Sequence, residues 1–179
     1  MKIFIGCSSR NNIPKIYFDD CSVFLSNLFR DNDLVFGAFY GGLMGLAHDI
    51  VLDNGNNVIG VCPESYKHDF EKLNCNEELI TRNINERTEK AFNVCDAIVF
   101  LPGGIGSIYE LFVALECKRN HELDKPIVIY NSNGFFDKLL DFMEVIYTEE
   151  FAYLKDKELY LVSNDVEEIK NYIKNYWIF

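Results

Sequence analysis

Short apolar runs alternate with longer amphipathic stretches along the whole of this 179-residue chain, and that rhythm restricts the fold more than any single motif does. Lys2 to Cys7, Leu34 to Gly37, Asn57 to Val61, Ala97 to Leu101, Pro126 to Tyr130 and Leu159 to Val162 read as strands, with Leu79 to Arg82 as a further short one. Helical periodicity marks Ile13 to Arg30, a segment ending near Leu52, Glu86 to Cys95, Ile108 to Arg119, Gly134 to Tyr147 and Val166 to Tyr176. Glu64 to Glu78 has no clean period and reads as a loop or short irregular helix. Strand and helix in alternation predict an α/β protein: a doubly wound, mainly parallel sheet with helices on both faces. No repeat, linker or low-complexity stretch interrupts it, so residues 1–179 are expected to form one domain. Ligands of such sheets gather at the carboxyl ends of the strands. Three polar or glycine-rich turns follow strands here, at Ser8–Asn12, Gly37–Gly45 and Pro102–Ser107, and are placed to line one crevice.

Charge narrows the ligand. Twenty-eight acidic residues against 17 Lys and Arg give a net charge of -11, which argues against DNA or RNA, because a nucleic-acid backbone is repelled by such a surface. A phosphate would have to be held by a local device, a glycine-rich turn or a single arginine. The six cysteines form no C-x-x-C pair, and His48, His68 and His121 do not cluster beside them. This predicts reduced, mostly buried thiols in a cytoplasmic protein, with no metal site. No segment approaches a membrane span, and the opening run Met1–Gly6 reads as a strand rather than a signal peptide. The crowded aromatics Phe135, Phe136, Phe142, Tyr147 and Phe151 are expected in the core or at a dimer contact, and the apolar end Trp177-Ile178-Phe179 is expected to dock on the fold.

The strongest local feature is Pro102-Gly103-Gly104-Ile105-Gly106-Ser107-Ile108-Tyr109-Glu110, between a clear strand and a clear helix. Glycines there let backbone approach a ligand, and a helix start offers unpaired N–H groups and a positive dipole end to an anion. Ser107 could cap the helix or donate to a phosphate oxygen. Glu110, three residues on, could close a capping box or project its carboxylate into the crevice. Arg87, at the start of the preceding helix, taken alone reads as a solvated surface charge. If both faced the crevice, they would form a carboxylate–guanidinium pair around one small ligand.

These residues resemble the P-G-G-x-G-T-x-x-E signature of the LONELY GUY (LOG) family. Gly6-Cys7-Ser8-Ser9 is similar to that family's first-strand C-G-S-S turn, Gly42-Leu43-Met44-Gly45 matches its G-L-M-G, and Asn85-Glu86-Arg87-Thr88 falls on its H-x-R-K. Val58–Pro63 and Asp96–Leu101 resemble its V-I-G-V-x-P and D-A-F-I-A-L strands, so the likeness runs in order over about residues 1 to 150. The resemblance implies a Rossmann-like fold and a homodimer. It also implies hydrolysis of the N-glycosidic bond of a purine or cytokinin nucleoside 5′-monophosphate, releasing base and ribose 5-phosphate without a cofactor. On that likeness Arg87 and Glu110 are catalytic. Gly103, Gly104, Ile105, Gly106 and Ser107, with Ser8, Ser9, Gly42 and Met44, bind phosphate and substrate.

The residue types suit that chemistry. Glycosidic cleavage passes through an oxocarbenium-like state, which a nearby carboxylate stabilises, and Glu110 could also orient the attacking water. Arg87, too basic to give up a proton readily, would anchor phosphate or align the carboxylate. The chain departs from the family pattern at several places. Ala38-Phe39-Tyr40-Gly41 interrupts a glycine run and could reshape the base pocket, Ile84-Asn85 replaces M-H, Thr88 replaces a lysine and Tyr109 replaces a glutamate. The alternative reading is a non-catalytic nucleotide- or molybdenum-cofactor-binding protein of the same fold. A dinucleotide oxidoreductase is disfavoured because the first turn lacks G-x-G-x-x-G, and true lysine decarboxylation because no lysine stands in a pyridoxal-phosphate motif.

Overall fold

The computed structural model describes residues 1–178, the side chains of Asp69 and Glu71 excepted. Seven strands form one sheet: β1 (Lys2–Gly6), β2 (Asp33–Phe36), β3 (Val58–Pro63), β4 (Glu77–Thr81), β5 (Ala97–Phe100), β6 (Ile127–Tyr130) and β7 (Leu161–Ser163). Their order is β4-β3-β2-β1-β5-β6-β7, and every neighbouring pair is parallel. Parallel neighbours need crossovers, which α1 (Lys15–Leu28), α2 (Gly42–Asp53), α4 (Ile105–Arg119) and α5 (Asp137–Thr148) supply, with the 3-10 segment Glu64–Lys72 between β3 and β4. α3 (Ile84–Val94) carries the chain back across the sheet from β4 to β5, and α6 (Val166–Asn175) closes the chain. The chain winds outward from β1 to β4, then returns to lay β5 against the other side of β1. The switch point of this doubly wound sheet therefore lies between the carboxyl ends of β1 and β5.

The five inner strands β3, β2, β1, β5 and β6 are buried on both faces, which is why they read as continuous apolar runs, whereas the edge strands β4 and β7 are partly exposed. Ile3, Ile5 and Val99 pack with α1, α2 and α6 through Leu25, Leu43, Ala47 and Ile169. Phe4, Ile98 and Phe100 pack on the opposite side with α3, α4 and α5 through Phe92, Leu111, Ala114 and Met143. Alternate strand residues thus serve opposite layers. No helix among the described residues is long and apolar enough to cross a membrane.

Several boundaries differ from the sequence expectation. α4 begins at Ile105, not Ile108, so Gly106 and Ser107 belong to its first turn. α5 begins at Asp137 rather than Gly134, because Asn133 and Gly134 adopt positive φ (49° and 69°) and turn the chain first. Leu159 ends a 3-10 segment, Leu154–Leu159, and the strand follows at Leu161. The aromatic cluster divides: Phe136 and Tyr147 are buried, whereas Phe142 and Phe151 stand in solvent. At the carboxyl end, Trp177 and Ile178 are exposed rather than docked, and Phe179 lies outside the described residues.

Candidate functional site

The turn after β5 meets the turn after β1 at the switch point. Ser8 N donates to Pro102 O at 3.0 Å and Leu101 N to Gly6 O at 2.9 Å, so the two loops leave the sheet side by side. Gly104 is the N-cap of α4 and brings no side-chain cap. Ser107 is the third helical residue and folds back on Gly103, where an added Cβ would lie 2.5 Å from the Ser107 Cβ. Of the two readings open for Ser107 and for Glu110, the helix cap and the capping box are therefore absent, since Glu110 lies beyond the first turn. Gly103 is needed for packing. Gly104 and Gly106 are not, because a Cβ at either would meet nothing within 4 Å. Ile105 between them is 91% exposed. Gly104 and Gly106 thus border free space at the start of this 15-residue helix, whose positive dipole end carries no side-chain cap.

The turn after β1 is held to the start of α2. Ser8 Oγ accepts from Arg10 N at 3.1 Å, and Ser8 O accepts from Met44 N at 3.2 Å. Gly42 adopts φ +56°, and a Cβ there would lie 2.6 Å from Ser8 O and 2.7 Å from Arg10 N. Gly42 is therefore required both by its left-handed backbone and by the close approach of two loops. Its N–H donates to Asn11 Oδ1 at 2.8 Å. Among the substrate-binding candidates, Ser8 and Gly42 build the loop scaffold, while half-buried Ser9 lines a cavity above it.

Arg87 and Glu110 come together. Asn83 caps α3 by accepting from Glu86 N at 3.0 Å, which sets Arg87 in the first turn facing the sheet. Its Nη2 donates to Glu110 Oε1. The two side chains are only 11% and 6% exposed, so the solvated-charge reading of Arg87 is overturned. Two glycines at the starts of crevice-lining turns border them, Gly37 against Arg87 and Gly6 against both Phe100 and Glu110. A Cβ at Gly6, the last residue of β1, would stand 3.3 Å from Glu110 Oε2. One at Gly37, just after β2, would stand 2.5 Å from Arg87 Nη1 and 3.7 Å from Met44 Cε. The pair thus lies over the carboxyl ends of β1 and β2, one strand from the open turn.

Its electrostatics are those of a group waiting for a partner. Burial pushes the Glu110 carboxyl above its ordinary range, more than the Arg87 guanidinium pulls it down. Burial likewise raises the neighbouring Cys7 thiol, with Cys21 and Glu110 adding to the effect. Arg87 Nε is buried without a hydrogen-bond partner among the described residues. A guanidinium can hold several acceptors, and an orphaned buried donor is costly, so Arg87 retains capacity for a further acceptor.

The departures from the family motifs also take positions. Thr88 is buried and its hydroxyl donates to Ile84 O at 3.1 Å, which turns it into its own helix. Tyr109 Oη donates to Asn85 Oδ1 at 2.8 Å, so two residues that replace the family's glutamate and histidine clasp α4 to α3 beside the Arg87–Glu110 pair. Sequence reasoning missed this clasp, because its ends lie 24 residues apart. Tyr40 leans edge-on against His48 and its hydroxyl meets Asp49 at 3.3 Å.

Known proteins bear on this arrangement. The chain is 28% identical over 178 residues, 98% of its length and 82% of theirs, to two enzymes of Arabidopsis thaliana, the cytokinin riboside 5′-monophosphate phosphoribohydrolases LOG4 and LOG3. It is 31% identical over 153 residues to the enzyme LOG of Oryza sativa subsp. japonica, covering 84% of this chain and 63% of that one. Among solved structures, the Moco carrier protein from Chlamydomonas reinhardtii superposes with a TM-score of 0.68 at 17% identity, covering 99% of this chain and 97% of that one. The molybdenum cofactor binding protein from Rippkaea orientalis gives 0.69 at 14% identity, covering 97% and 95%. At such identities these structures establish the Rossmann-like fold alone. The family model described as "Possible lysine decarboxylase" matches residues 44–173, which include Arg87, the turn after β5 and Glu110, and with the colinear relatives this shows that the chain belongs to the LOG family.

Proposed function

We propose that this protein hydrolyses the N-glycosidic bond of a nucleoside 5′-monophosphate, releasing the free base and ribose 5-phosphate. The observation that carries the reading is the buried Arg87–Glu110 pair, one strand from an uncapped, glycine-lined helix start at the switch point. A binding module needs the open turn but has no need of a desolvated carboxylate held against a guanidinium. Such a pair is costly to bury, and its retention suits chemistry.

In this reading the phosphate sits on the amides of Ile105, Gly106 and Ser107, held by the helix dipole and by N–H donors. That anchor lies away from the bond being cut and fixes the ribose over Glu110. Ionised Glu110 faces the anomeric carbon and stabilises the positive charge that develops there; as the C–N bond breaks and the water oxygen bonds to that carbon, Glu110 takes the water proton and passes it on to the departing base, which leaves neutral. Its raised proton affinity makes it a better base than an ordinary carboxylate. Arg87 holds the carboxylate in place through Nη2. No metal or cofactor takes part in any of these steps.

The test is incubation with AMP, GMP, IMP and a cytokinin ribotide, with chromatography of the released base, alongside Glu110→Gln. Base release that disappears in the variant supports the proposal. Tight nucleotide binding without release from any of the four would replace it with the reading as a non-catalytic nucleotide-binding protein of the same fold. We propose further that the working unit is a homodimer. Exposed Phe112 on α4 and Phe151 just after α5 line one groove with Met143 and Ile146, and α5 also exposes Phe142 and Val145, which offers a second copy apolar surface to cover. Light scattering on the wild type and on Phe151→Glu checks this.

A further inference from the structure

The loop between Gly37 and Gly41 is where this chain leaves the family's glycine run, and the structure separates the roles of its three inserted side chains. Ala38 adopts φ 54°, is buried, and sets its Cβ 3.1 Å from the place of a Cβ on Gly60. Tyr40 is held by Asp49 and His48. Phe39 alone is uncommitted: it is 41% exposed and has no aromatic partner among the described residues. It forms one wall of a cavity completed by Ser9, Arg10, Asn11, Asn12 and Ile13. No carboxylate lines this cavity, in a chain of net charge -11.

The sheet supplies a ruler. The open turn follows β5, Glu110 lies beside the end of β1, and Arg87 reaches the residue after β2, and these three strands are consecutive neighbours. Adjacent strands stand about 4.8 Å apart, so the turn and the loop after β2 are separated by roughly 10 Å across the strand ends. A nucleoside monophosphate laid along that line puts its phosphate at the first station, its ribose at the second and its base at the third. The third station is the loop that carries Phe39.

We infer that Phe39 is the stacking platform for the purine base, and that the cavity between it and the Ser9–Ile13 turn is the base subsite. The inference rests on the nucleotide reading of the site but not on catalysis. A purine presents a flat π-face, and an exposed aromatic ring is its natural partner. The polar wall opposite, with the amides of Asn11 and Asn12 and the guanidinium of Arg10, is suited to the base edge.

The experiment is isothermal titration of AMP and of ribose 5-phosphate into Phe39→Ala and Phe39→Trp, each built on Glu110→Gln so that nothing is turned over. Base stacking is worth about fivefold to a hundredfold in affinity. Phe39→Ala should weaken AMP by that factor and leave ribose 5-phosphate, which has no base, unchanged. Phe39→Trp should keep or improve AMP binding. Equal weakening of both ligands, or none of either, overturns the platform. Hydrolysis by the wild-type protein is read separately. Release of base with AMP affinity untouched in Phe39→Ala would sink the platform and leave the enzyme. Selective weakening of AMP without any hydrolysis would leave the platform and sink the enzyme.

Discussion

Replacing Gly37 by alanine tests whether the position of Arg87, rather than its mere presence, matters. The added Cβ would stand 2.5 Å from Arg87 Nη1, where ordinary contact begins near 3.4 Å, so the guanidinium must retreat by about 0.9 Å. Gly37 is not among the glycines with positive φ, so alanine brings no backbone strain. The atom displaced is the tip of a long side chain, so overpacking should sit at the low end of its usual range, about 1 kcal/mol. For a chain of this size that lowers Tm by about 2–4 °C. Activity responds differently. A shift near 1 Å in a positioned group costs roughly a hundredfold in rate, equivalent to about 2.7 kcal/mol of transition-state stabilisation. Thermal melting and the rate of base release from AMP, measured on the same preparation, should therefore separate: a small fall in Tm, a fall of about two orders of magnitude in kcat. A variant that keeps its rate within a factor of two would refute the placement of Arg87 in the reacting site. A Tm loss above about 10 °C would show that Gly37 serves packing instead.

Further outcomes follow from the same geometry. Gly42→Ala combines a left-handed backbone with a clash against the Ser8 and Arg10 main chain, so it should cost about 2–4 kcal/mol in chemical denaturation. Gly104→Ala meets nothing within 4 Å, so its stability cost should not exceed about 1 kcal/mol, the penalty of alanine at a helix N-cap, while AMP binding weakens in calorimetry. Because burial raises the Glu110 pKa, the folded state holds that proton more tightly than the unfolded chain does. The resulting stability is present in full below the ordinary carboxylate pKa and is lost as pH rises through the raised one. The difference in unfolding free energy between wild type and Glu110→Gln should accordingly shift against the wild type over that interval. The acid limb of the kcat/KM profile should lie above the ordinary carboxylate range. Tyr109→Phe removes a solvent-exposed bond to Asn85, worth about 0.5–1 kcal/mol, and a double-mutant cycle with Asn85→Ala should return a coupling of that size.

Much of the fold was legible because both periods were clean. Ala97–Phe100, buried on each face, could only read as an apolar run, and α3 and α4 follow strands whose ends are marked by polar or glycine turns. The start of α4 was misplaced by three residues because Ser107 is a good N-cap type. Its side chain is instead drawn onto Gly103, so the helix begins where the glycines leave its amides open. The trailing Trp177 and Ile178 look like a docking segment by hydropathy, yet stand exposed at the end of α6.

The sequence by itself determined the alternation of strands and helices, the glycine turn ahead of α4, and the two charged residues worth watching. The first two are local properties, written in periods of two and 3.6 and in the backbone freedom of glycine, while Arg87 and Glu110 were singled out by their place in the family resemblance. Whether Glu110 turns inward or closes a capping box, and whether Arg87 is solvated or buried, could not be read locally. The two residues lie 23 positions apart on different helices. They meet only because the chain crosses back at the switch point and sets β5 against β1, which brings α4 beside α3 over the ends of β1 and β2. The same crossing makes Gly37 the place the Arg87 guanidinium occupies and sets Gly6 under the Phe100 ring beside Glu110, roles that no single segment of sequence could announce.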